Sequence, residues 1–456
     1  MVFLEQKMGN KIFGVNNFIK TFRYLRKNGI RHTYYAARER VEESRSFDYY
    51  YKDPSQETLD AQRMKSSEYS DLFSVVVPAY ETDETFLRKM IESVCRQSYD
   101  KWELIIADAS KSDTVEKAVR QISADHAGGQ IKYTRLTENR GISGNTNAGI
   151  ALAAGDYIAL LDHDDFLSPD ALYHMAEALH DTRQRGTEPV LLYTDEDKYD
   201  NSTGYYIMPH RKTEFNLDLI LSNNYICHFT AVRADTLKRL KLRSDFDGAQ
   251  DYDLLLRIVG ELYGSLSVKE MEELIIHIQK ILYHWRCHED STADNTGSKS
   301  YAYEAGRAAL EAFFAERGWQ IQVKHSLHLG FYDITYVPDI LSVRKDVGIA
   351  GGRILDGRKR ICGGAMESDG SCMYEGLHRE YSGGSTHRAA LKQDVAAVDI
   401  RCMQIRPELR GEYEHITGIA YTERTIRCGN GSTGRQFRIA DVSGLSCDEE
   451  AGNQQS

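Results

Sequence analysis

The sequence lacks any pair of cysteines spaced as C-x-x-C. Its eight cysteines lie singly along the chain, and they accompany a nucleotide-binding type of strand and helix pattern instead of a small secreted scaffold. This distribution favours reduced thiols in a cytosolic protein and argues against a zinc site.

The sequence also lacks a segment that could cross a membrane. No apolar run approaches the roughly 18 residues that span a bilayer, and the N-terminus has no apolar core followed by a small-residue cleavage site. We therefore expect a soluble cytoplasmic protein, which can meet a membrane only peripherally, at its inner face.

An excess of positive charge is missing as well. The chain carries 57 Lys and Arg residues against 68 Asp and Glu residues, for a net charge of -11. General binding of nucleic acid needs a basic face, so this balance argues against it. With 456 residues and 41% hydrophobic content, the chain is expected to be a globular protein of two to three domains.

The N-terminal 46 residues depart from this acidic balance, because their helical pattern is basic and aromatic. Such a helix can lie on an anionic lipid surface, which would make the membrane a peripheral partner. It can equally pack on the main domain as a helical pair with solvated basic side chains. The basic residues are Lys11, Lys20, Arg23, Arg26, Lys27, Arg31, Arg38 and Arg40, and the aromatic ones are Phe13, Phe18, Phe22, Tyr24, Tyr34 and Tyr35.

From Phe73 onward, apolar strand-like runs alternate with helical patterns. The runs FSVVVPAY, WELIIADAS, IKYTRLT and YIALLDHDD are separated by helical segments, and PVLLYTDED and ICHFTAVR follow as further strands. This alternation predicts an α/β fold with a mainly parallel sheet covered by helices on both faces. We expect residues 200–225 to be irregular, residues 266–290 to begin as a helix, and residues 300–318 to form an amphipathic helix.

Polar residues follow the predicted strands at the point where each strand ends. Ligands of open α/β sheets bind beyond the carboxyl ends of the strands, so this edge is the expected site. The most acidic end holds Asp162, Asp164 and Asp165. Asp162 and Asp164 are two residues apart, so on an extended strand end they would project to the same side. Two carboxylates with room for water suit Mg²⁺ or Mn²⁺, which share their coordination shells with substrate phosphates.

Five segments together resemble the family-2 glycosyltransferases with the GT-A fold, in particular the bacterial enzymes that build surface polysaccharides, including the rhamnosyltransferase-like group. The segments are SVVVPAYET, LIIADASKSD, ENRGISGNTNAGIALAAGDYIALLDHDD, LYTDEDK and GAQDYDLLLR. The resemblance extends from about Phe73 to about Trp319. It implies an inverting transfer of a sugar from a UDP- or dTDP-sugar donor to a lipid-linked or polysaccharide acceptor, with Mn²⁺ or Mg²⁺ as the cofactor.

The resemblance also implies which residues bind the donor and the metal. Asp108 would accept a hydrogen bond from the base, and Asp162 and Asp164 would form the metal-binding D-x-D, with His288 favoured over His284 as a further ligand. Simple turn geometry accounts equally well for Pro78 and Gly141. The full implied donor-binding set is Pro78, Ala79, Tyr80, Glu81, Asp108, Ser110, Arg140, Gly141, Asn145, Asp162 and His163.

Asp251, within GAQDYDLLLR, matches the position of the catalytic base in the resembling family. A placed carboxylate that removes the proton of an acceptor hydroxyl typically contributes ~10²–10⁴-fold to the rate. The structural alternative for Asp251 is a helix N-cap. The residues expected to contact the sugar or the acceptor are Asp195, Asp197, Gln250, Asp253 and Arg286.

We expect four regions along the chain. They are a helical N-terminal extension and connector at 1–70, the GT-A domain at 71–320, a degenerate second glycosyltransferase-like region at 321–445 and a disordered tail at 446–456. The third region contains VGIAGGRIL, ICGGAMESDGS and AAVDIRCMQIRPEL, which faintly resemble the second half of a family-2 domain without its D-x-D and base motifs. We interpret it as a non-catalytic remnant that binds acceptor or partner.

Two other functions compete with this interpretation. A haloacid-dehalogenase-like phosphatase also places D-x-D after an apolar strand, but on its first strand, whereas three strand and helix units precede Asp162 here. Lys198, Asp251 and Asp253 would have to supply its remaining groups. A non-catalytic scaffold in a polysaccharide assembly complex is the alternative that is not an enzyme, and the complete motif set in 73–290 argues against it.

Overall fold

The computed structural model describes residues 15–45, 49–125, 130–287, 300–422 and 437–439. These residues form two compact units. The first comprises residues 49–348, and the second comprises the described residues before position 49 together with those from 349 to 439. The predicted tail at 446–456 and His288 lie outside the described residues.

The first unit extends beyond the predicted bounds of 71 and 320 at both ends. Before the sheet, the Lys65 ammonium pairs with Glu177 at 2.8 Å. Near the other end, the buried Arg344 guanidinium pairs with Asp218 at 3.0 Å. These ion pairs attach the flanking segments to the unit, so the units divide at 48/49 and 348/349.

A nine-stranded sheet forms the centre of the first unit. Its strands are β1 (Phe73–Ala79), β2 (Trp102–Asp108), β3 (Ile131–Arg135), β4 (Tyr157–Leu160), β5 (Phe166–Leu167), β6 (Leu191–Asp200), β7 (Tyr205–His210), β8 (Thr230–Arg233) and β9 (Ile275–Cys287). In space they follow the order β3-β2-β1-β4-β8-β6-β9-β5, and β7 pairs with β6. β8 is antiparallel to both neighbours, whereas β1 is parallel to β2 and β4, and β6 is parallel to β9. The predicted α/β fold with a mainly parallel sheet is confirmed.

Helices surround this sheet, and an antiparallel hairpin of β10 (Ile321–His325) and β11 (Tyr332–Tyr336) follows it. The α-helices of the first unit are Gln56–Lys65, Glu84–Cys95, Thr114–Asp125, Gly141–Leu152, Ala171–Gln184, Leu217–Ile220, Ala234–Leu240, Gln250–Tyr263, Val268–Leu274, Ser300–Glu316 and Ile340–Val343. Short 3-10 helices lie at Ser66–Glu68 and Ser244–Phe246.

The alternation of side chains along β1 explains how helices cover both faces of the sheet. Val75 and Val77 are buried in one core cluster together with Leu87 of a flanking helix. Val76 points to the opposite face, where a Cβ atom on Gly149 would lie 2.6 Å from its Cγ1 atom. Gly149 therefore lets the helix Gly141–Leu152 approach the strand closely.

Two stretches differ from the predicted elements. Residues 200–225 were expected to be irregular, but β7 forms a hairpin with β6 there. Residues 266–290 begin as the predicted helix, but the helix ends at Leu274 and β9 continues to Cys287. The consecutive residues Leu282, Tyr283 and His284 are all buried, so both faces of β9 are covered there. Its sequence therefore has no simple two-residue alternation to identify it.

The second unit contains a long helix and short antiparallel strands. Gly29 interrupts the helix Val15–Arg45 with a φ of 79°. Every strand pair among the described residues of this unit is antiparallel, so they contain no remnant of a second parallel sheet. The other elements are β12 (Ile349–Gly351), β13 (Ile354–Leu355), β14 (Ile361–Gly363), β15 (Ala365–Met366), 3-10 helix Arg388–Ala390, β16 (Ala397–Val398), β17 (Gln404–Ile405), 3-10 helix Pro407–Leu409, helix Arg410–Thr417 and β18 (Phe437–Ile439).

A search of the helices in the described ranges finds none that is both long and apolar enough to cross a membrane.

Candidate functional site

The carboxyl ends of β1, β2 and β4 meet at one edge of the sheet. Ala79 pairs with Asp108 at the end of β1 and β2, and Val76 pairs with Leu160 at the end of β4. Because these strands are parallel, the polar residues that follow them are brought to the same edge. This edge is the candidate site.

The loops after β1 and β2 are tied together by hydrogen bonds. The Glu81 main-chain N donates to Ser110 Oγ at 2.7 Å, and the Lys111 main-chain N donates to Glu81 Oε1 at 2.7 Å. Glu81 has a φ of 47°, an uncommon conformation for a residue with a side chain. Beside it, Tyr80 is exposed, whereas Ala79 is buried and Pro78 is half-buried. The two loops therefore form one ordered surface, as a nucleotide cradle requires.

Asp108 is fully buried at the base of this surface. Its Oδ1 atom accepts from the Ser110 main-chain N at 2.8 Å, and its Oδ2 atom accepts from the Tyr133 hydroxyl at 2.7 Å. A carboxylate oxygen can accept more than one hydrogen bond. Asp108 thus has a fixed orientation and retains capacity to accept from a ligand.

The loop before the helix Gly141–Leu152 forms a second ordered turn. The Arg140 main-chain N donates to Asn145 Oδ1 at 3.1 Å, and Asn139 Oδ1 accepts from the Asn145 amide at 2.9 Å. Gly141 has a φ of 75°, which a residue with a Cβ rarely adopts. The Arg140 side chain is exposed and pairs with Glu138 at 2.8 Å. The structure thus gives Arg140 a surface partner.

The acidic residues after β4 form a turn instead of the predicted extended end. The Asp165 main-chain N donates to the Asp162 carbonyl oxygen at 3.3 Å. The Asp162 side chain is 45% exposed. Desolvation by the surrounding protein raises the pKa of Asp162, while the charge of His228 opposes this shift and that of Asp164 adds to it. The turn therefore places Asp162 and Asp164 close enough for their charges to interact.

This donor set fits a divalent cation. Asp162 and Asp164 offer carboxylate oxygens, which Mg²⁺ and Mn²⁺ prefer, and their mutual repulsion would be relieved by such an ion. The predicted further ligand, His288, falls outside the described residues. Between the two aspartates, the His163 Nδ1 atom is buried with no hydrogen-bond partner among the described residues.

Three further side chains face this turn from β6 and the segment before β8. His228 Nε2 lies 3.7 Å from Asp162 Oδ2, and His228 Nδ1 lies 3.3 Å from Glu196 Oε2 and 3.2 Å from Cys227 Sγ. Burial lowers the pKa of His228, but Cys227 and Glu196 outweigh it and raise that pKa well above its usual value. His228 therefore lies between the acidic turn and the pair formed by Glu196 and Cys227.

Asp251 reaches the same site from the first turn of the helix Gln250–Tyr263. Its Oδ2 atom accepts a hydrogen bond from the Asn224 amide at 2.8 Å. Asn224 Oδ1 in turn accepts from the Cys227 main-chain N at 3.1 Å, which connects Asp251 to the segment that carries His228. The alternative of a helix N-cap does not apply, since Ala249 occupies that position. The adjacent Gln250 accepts from the Gly248 main-chain N at 2.8 Å.

Arg286, predicted to contact the sugar or the acceptor, lies inside the unit. Its side chain is fully buried, and its guanidinium carbon lies 4.9 Å from the ring centres of Phe86 and Phe166. Its Nε atom donates to the Asp164 carbonyl oxygen at 2.6 Å, and its main-chain N donates to Asp165 Oδ1 at 2.7 Å. Arg286 therefore stabilises the acidic turn through hydrogen bonds from the interior of the unit.

Three other residues predicted to contact the sugar or the acceptor are also buried, and each is engaged in an ion pair within the unit. Each carboxylate has a basic partner: Asp195 with His277 at 2.8 Å, Asp197 with His284 at 2.7 Å, and Asp253 with Arg257 at 2.8 Å. Asp195 and Asp197 lie within β6, which continues to Asp200.

The sequence interpretation missed Glu196, Cys227, His228 and Asn224. All four belong to segments predicted as ordinary strands or as an irregular stretch. The run NNYICHF offered one signal, because an amide, a thiol and an imidazole interrupt an otherwise apolar strand pattern.

Residues 74–241 match the family model of glycosyl transferase family 2. The uncharacterized protein y4gI of Sinorhizobium fredii is 39% identical over 246 residues, which are 54% of this chain and 25% of that protein. The O-antigen biosynthesis protein RfbC of Myxococcus xanthus is 32% identical over 274 residues, which are 60% of this chain and 20% of that protein. The chain thus spans a quarter or less of the length of these two relatives.

Among solved structures, S. aureus TarS 1-349 in complex with UDP-GlcNAc is similar to this chain with a TM-score of 0.38 and 16% sequence identity. That similarity covers 52% of this chain and 65% of the TarS chain.

Proposed function

We propose that this chain, whose residues 74–241 form a glycosyl transferase family 2 domain, transfers a sugar from a nucleoside-diphosphate donor to a hydroxyl of a growing cell-surface glycan. One observation carries the proposal. A series of contacts at the carboxyl edge of the sheet links Asp251 to the acidic turn that begins at Asp162. The Asn224 amide donates to Asp251, and Asn224 Oδ1 accepts from the Cys227 main-chain N. The next residue, His228, has its Nε2 atom 3.7 Å from Asp162 Oδ2. A base and an anion-neutralising site at such an edge are the two components that the reaction needs.

Asp251 acts as the general base in this proposal. It removes the proton of the acceptor hydroxyl as that oxygen attacks the anomeric carbon from the face opposite the leaving diphosphate. A single displacement inverts the anomeric configuration. The Asn224 amide, 2.8 Å from Asp251 Oδ2, fixes the orientation of the carboxylate and leaves Oδ1 to face the acceptor.

The diphosphate leaves with negative charge that the site must stabilise. A divalent cation held by Asp162 and Asp164 would supply this stabilisation when bound. The 12-residue helix that starts at Gly141 already holds a carboxylate at its N-terminus, where anions are stabilised, since the Ser143 main-chain N donates to Asp247 Oδ1 at 3.3 Å. Arg140 would have to exchange its Glu138 partner for the diphosphate.

The loops after β1 and β2 bind the nucleoside. Asp108 and Ser110 supply hydrogen-bonding groups of fixed orientation, and the exposed ring of Tyr80 offers a surface for the base. Both UDP and dTDP fit these groups. The printed name of RfbC, an O-antigen biosynthesis protein, supports a polysaccharide or lipid-linked glycan as the acceptor.

The helix Val15–Arg45 provides a peripheral contact with the membrane in this proposal. Ile30, Tyr34 and Val41 lie on one face at helical spacing and are 80%, 59% and 38% exposed. On the opposite face, the Tyr35 ring stacks on His378 at 4.7 Å. Arg38 is exposed beside the apolar stripe, so its charge would meet anionic headgroups.

Nucleoside diphosphate release tests the proposed activity. The chain is incubated with UDP- and dTDP-sugars, Mn²⁺ and a lipid-linked glycan fraction, and UDP and dTDP are measured. We expect release from at least one donor and its loss in Asp251→Asn. Donor binding without release from any donor would instead support the non-catalytic scaffold.

A further inference from the structure

Glu196, Cys227 and His228 form a compact cluster of three different ligating groups. Their ligand atoms all lie within 4.8 Å of one another. The Glu196 side chain is 9% exposed and the His228 side chain 21% exposed, and Cys227 is half-buried. The cluster is thus shielded by protein on most sides and reached by solvent from one.

The backbone brings Cys227 and His228 to the same side of the chain. Neighbouring residues of a strand normally point in opposite directions. Cys227 has a φ of 42°, in the left-handed region that residues with a side chain rarely adopt, and it lies three residues before β8, which begins at Thr230. Its main-chain N donates to Asn224 Oδ1 at 3.1 Å, which holds this conformation. Such outliers accumulate where function needs them.

We propose that Glu196, Cys227 and His228 bind a zinc ion through one carboxylate oxygen, the thiolate sulfur and the Nδ1 nitrogen. Bonds of roughly 2.0 to 2.3 Å at tetrahedral angles separate neighbouring ligand atoms by about 3.3 to 3.6 Å. Cys227 Sγ and Glu196 Oε2 lie 3.2 Å and 3.3 Å from His228 Nδ1. Three protein ligands leave a fourth position for water or substrate, the arrangement of reactive zinc sites.

The surroundings of His228 suit a metal ligand. Zinc-bound histidines usually donate their second ring N–H to a carboxylate, and His228 Nε2 lies 3.7 Å from Asp162 Oδ2. The imidazole is stacked on the Tyr283 ring at 4.8 Å with an interplanar angle of 11°. Both contacts would fix the ring with Nδ1 directed at the ion.

The charges of the buried groups suit a bound zinc ion. The fully buried Lys212 ammonium lies 3.5 Å from Glu196 Oε2 and neutralises that carboxylate. One of the two positive charges of zinc is then balanced by the Cys227 thiolate, and the other remains to attract an anionic fourth ligand. Lys212 also donates to the carbonyl oxygens of Ile226 and His228, so it holds the segment that carries two of the ligands.

This zinc site differs in chemistry from the cation site proposed for the donor. Asp162 and Asp164 offer oxygen alone and suit Mg²⁺ or Mn²⁺, whereas thiolate and imidazole select zinc. The inference rests on the cluster itself and holds whether or not the chain transfers a sugar. If both are correct, zinc lies beside the donor cation and orients Asp162 through His228.

Cobalt substitution tests the proposal on the full chain. Co²⁺ added to the reduced, metal-free protein is expected to give a near-ultraviolet thiolate-to-cobalt charge-transfer band and intense tetrahedral visible bands. Both should disappear in Cys227→Ser and in His228→Gln, and both should persist in Cys95→Ser, another half-buried thiol. The absence of the charge-transfer band in the unaltered protein, or its persistence in Cys227→Ser, would overturn the assignment.

Two further measurements are needed. One shows that loss of the cobalt band in a variant does not merely reflect misfolding, and the other shows that the zinc site is distinct from the donor site. X-ray absorption of the zinc-loaded, unaltered protein needs no variant, and it should show one sulfur neighbour at about 2.3 Å; a shell of nitrogen and oxygen alone would refute the site. Asp164→Asn should keep the cobalt band and lose Mn²⁺-dependent nucleotide binding. Loss of nucleotide binding alone would therefore leave the zinc assignment standing, and loss of the band alone would leave the donor site standing.

Discussion

Asp251 combines partial exposure with a fixed orientation. Its carboxylate is half-buried, and the Asn224 amide donates to one of its two oxygens. Asp253, two residues further along the helix, has a different environment. Arg243 and Arg257 both pair with it, and its side chain is 1% exposed. The two aspartates of this motif therefore differ. Asp251 is available for chemistry, whereas Asp253 stabilises the helix.

The Asp251→Asn substitution should abolish most of the transferase activity. Loss of a general base typically lowers kcat by about 10²–10⁴-fold, and the amide keeps the size of the side chain. We expect nucleotide binding to change little, because Asp251 faces the acceptor in the proposed arrangement. Steady-state kinetics with the preferred donor measures both quantities. Asp245→Asn, at an exposed position nearby, is the matched control, and equal rates for the two variants would exclude Asp251 as the base.

The residue types of the site could be predicted from the sequence, but their exposure could not. D-x-D and Q-D-Y-D select Asp162 and Asp251 as candidates because each pattern lies in a short run of residues. Asp197 and Arg286 occur in equally suggestive runs, yet both are buried. Their direction depends on the pairing of β6 with β9, whose register shifts near Asp195. No local pattern encodes such a shift, and so none could distinguish an internal ion pair from a ligand contact.

At the scale of elements, the segment after the sheet is held to the first unit by one buried arginine. Arg344 follows the short helix Ile340–Val343 and is fully buried. It pairs with Asp218 at 3.0 Å and with Asp346 at 2.6 Å. This connection is remote in sequence, which explains why the composition of residues 321–348 suggested a separate region.

The Arg344→Met substitution should destabilise the first unit. Removal of one partner of a buried ion pair typically costs roughly 3–5 kcal/mol, because the other charge stays buried without compensation. Urea denaturation followed by circular dichroism measures the change. Arg120→Met removes an arginine that is 76% exposed and pairs along its helix with Glu116, so it should have almost no effect. Similar midpoints for the two variants would contradict the structural role of Arg344.

The helix Val15–Arg45 carries the proposed membrane contact. Ile30→Ser combined with Tyr34→Ser should remove most binding to vesicles that contain anionic lipid, since both side chains are exposed on the apolar stripe. Co-sedimentation with phosphatidylglycerol vesicles measures the bound fraction. Met64→Ser removes an 80% exposed apolar side chain from another helix and should leave binding unchanged. Failure of the unaltered protein to sediment with these vesicles would contradict the contact.

At the scale of the whole molecule, an acidic chain is proposed to bind an anionic donor. The net charge of -11 opposes approach of a nucleoside diphosphate, and the acidic turn adds to this repulsion locally. A divalent cation would remove this electrostatic repulsion, because it would neutralise the carboxylates of the turn and the diphosphate together. Donor binding should therefore depend on the metal.

Calorimetric titration with UDP and with dTDP tests this central claim most directly. Each nucleotide is added in the presence of Mn²⁺ and again with EDTA, to the unaltered chain, to Asp162→Asn and to the exposed control Asp181→Asn. The account predicts that at least one nucleotide binds, that EDTA and Asp162→Asn abolish the binding, and that Asp181→Asn preserves it. Equal binding with and without metal, or no binding of either nucleotide, would contradict the account.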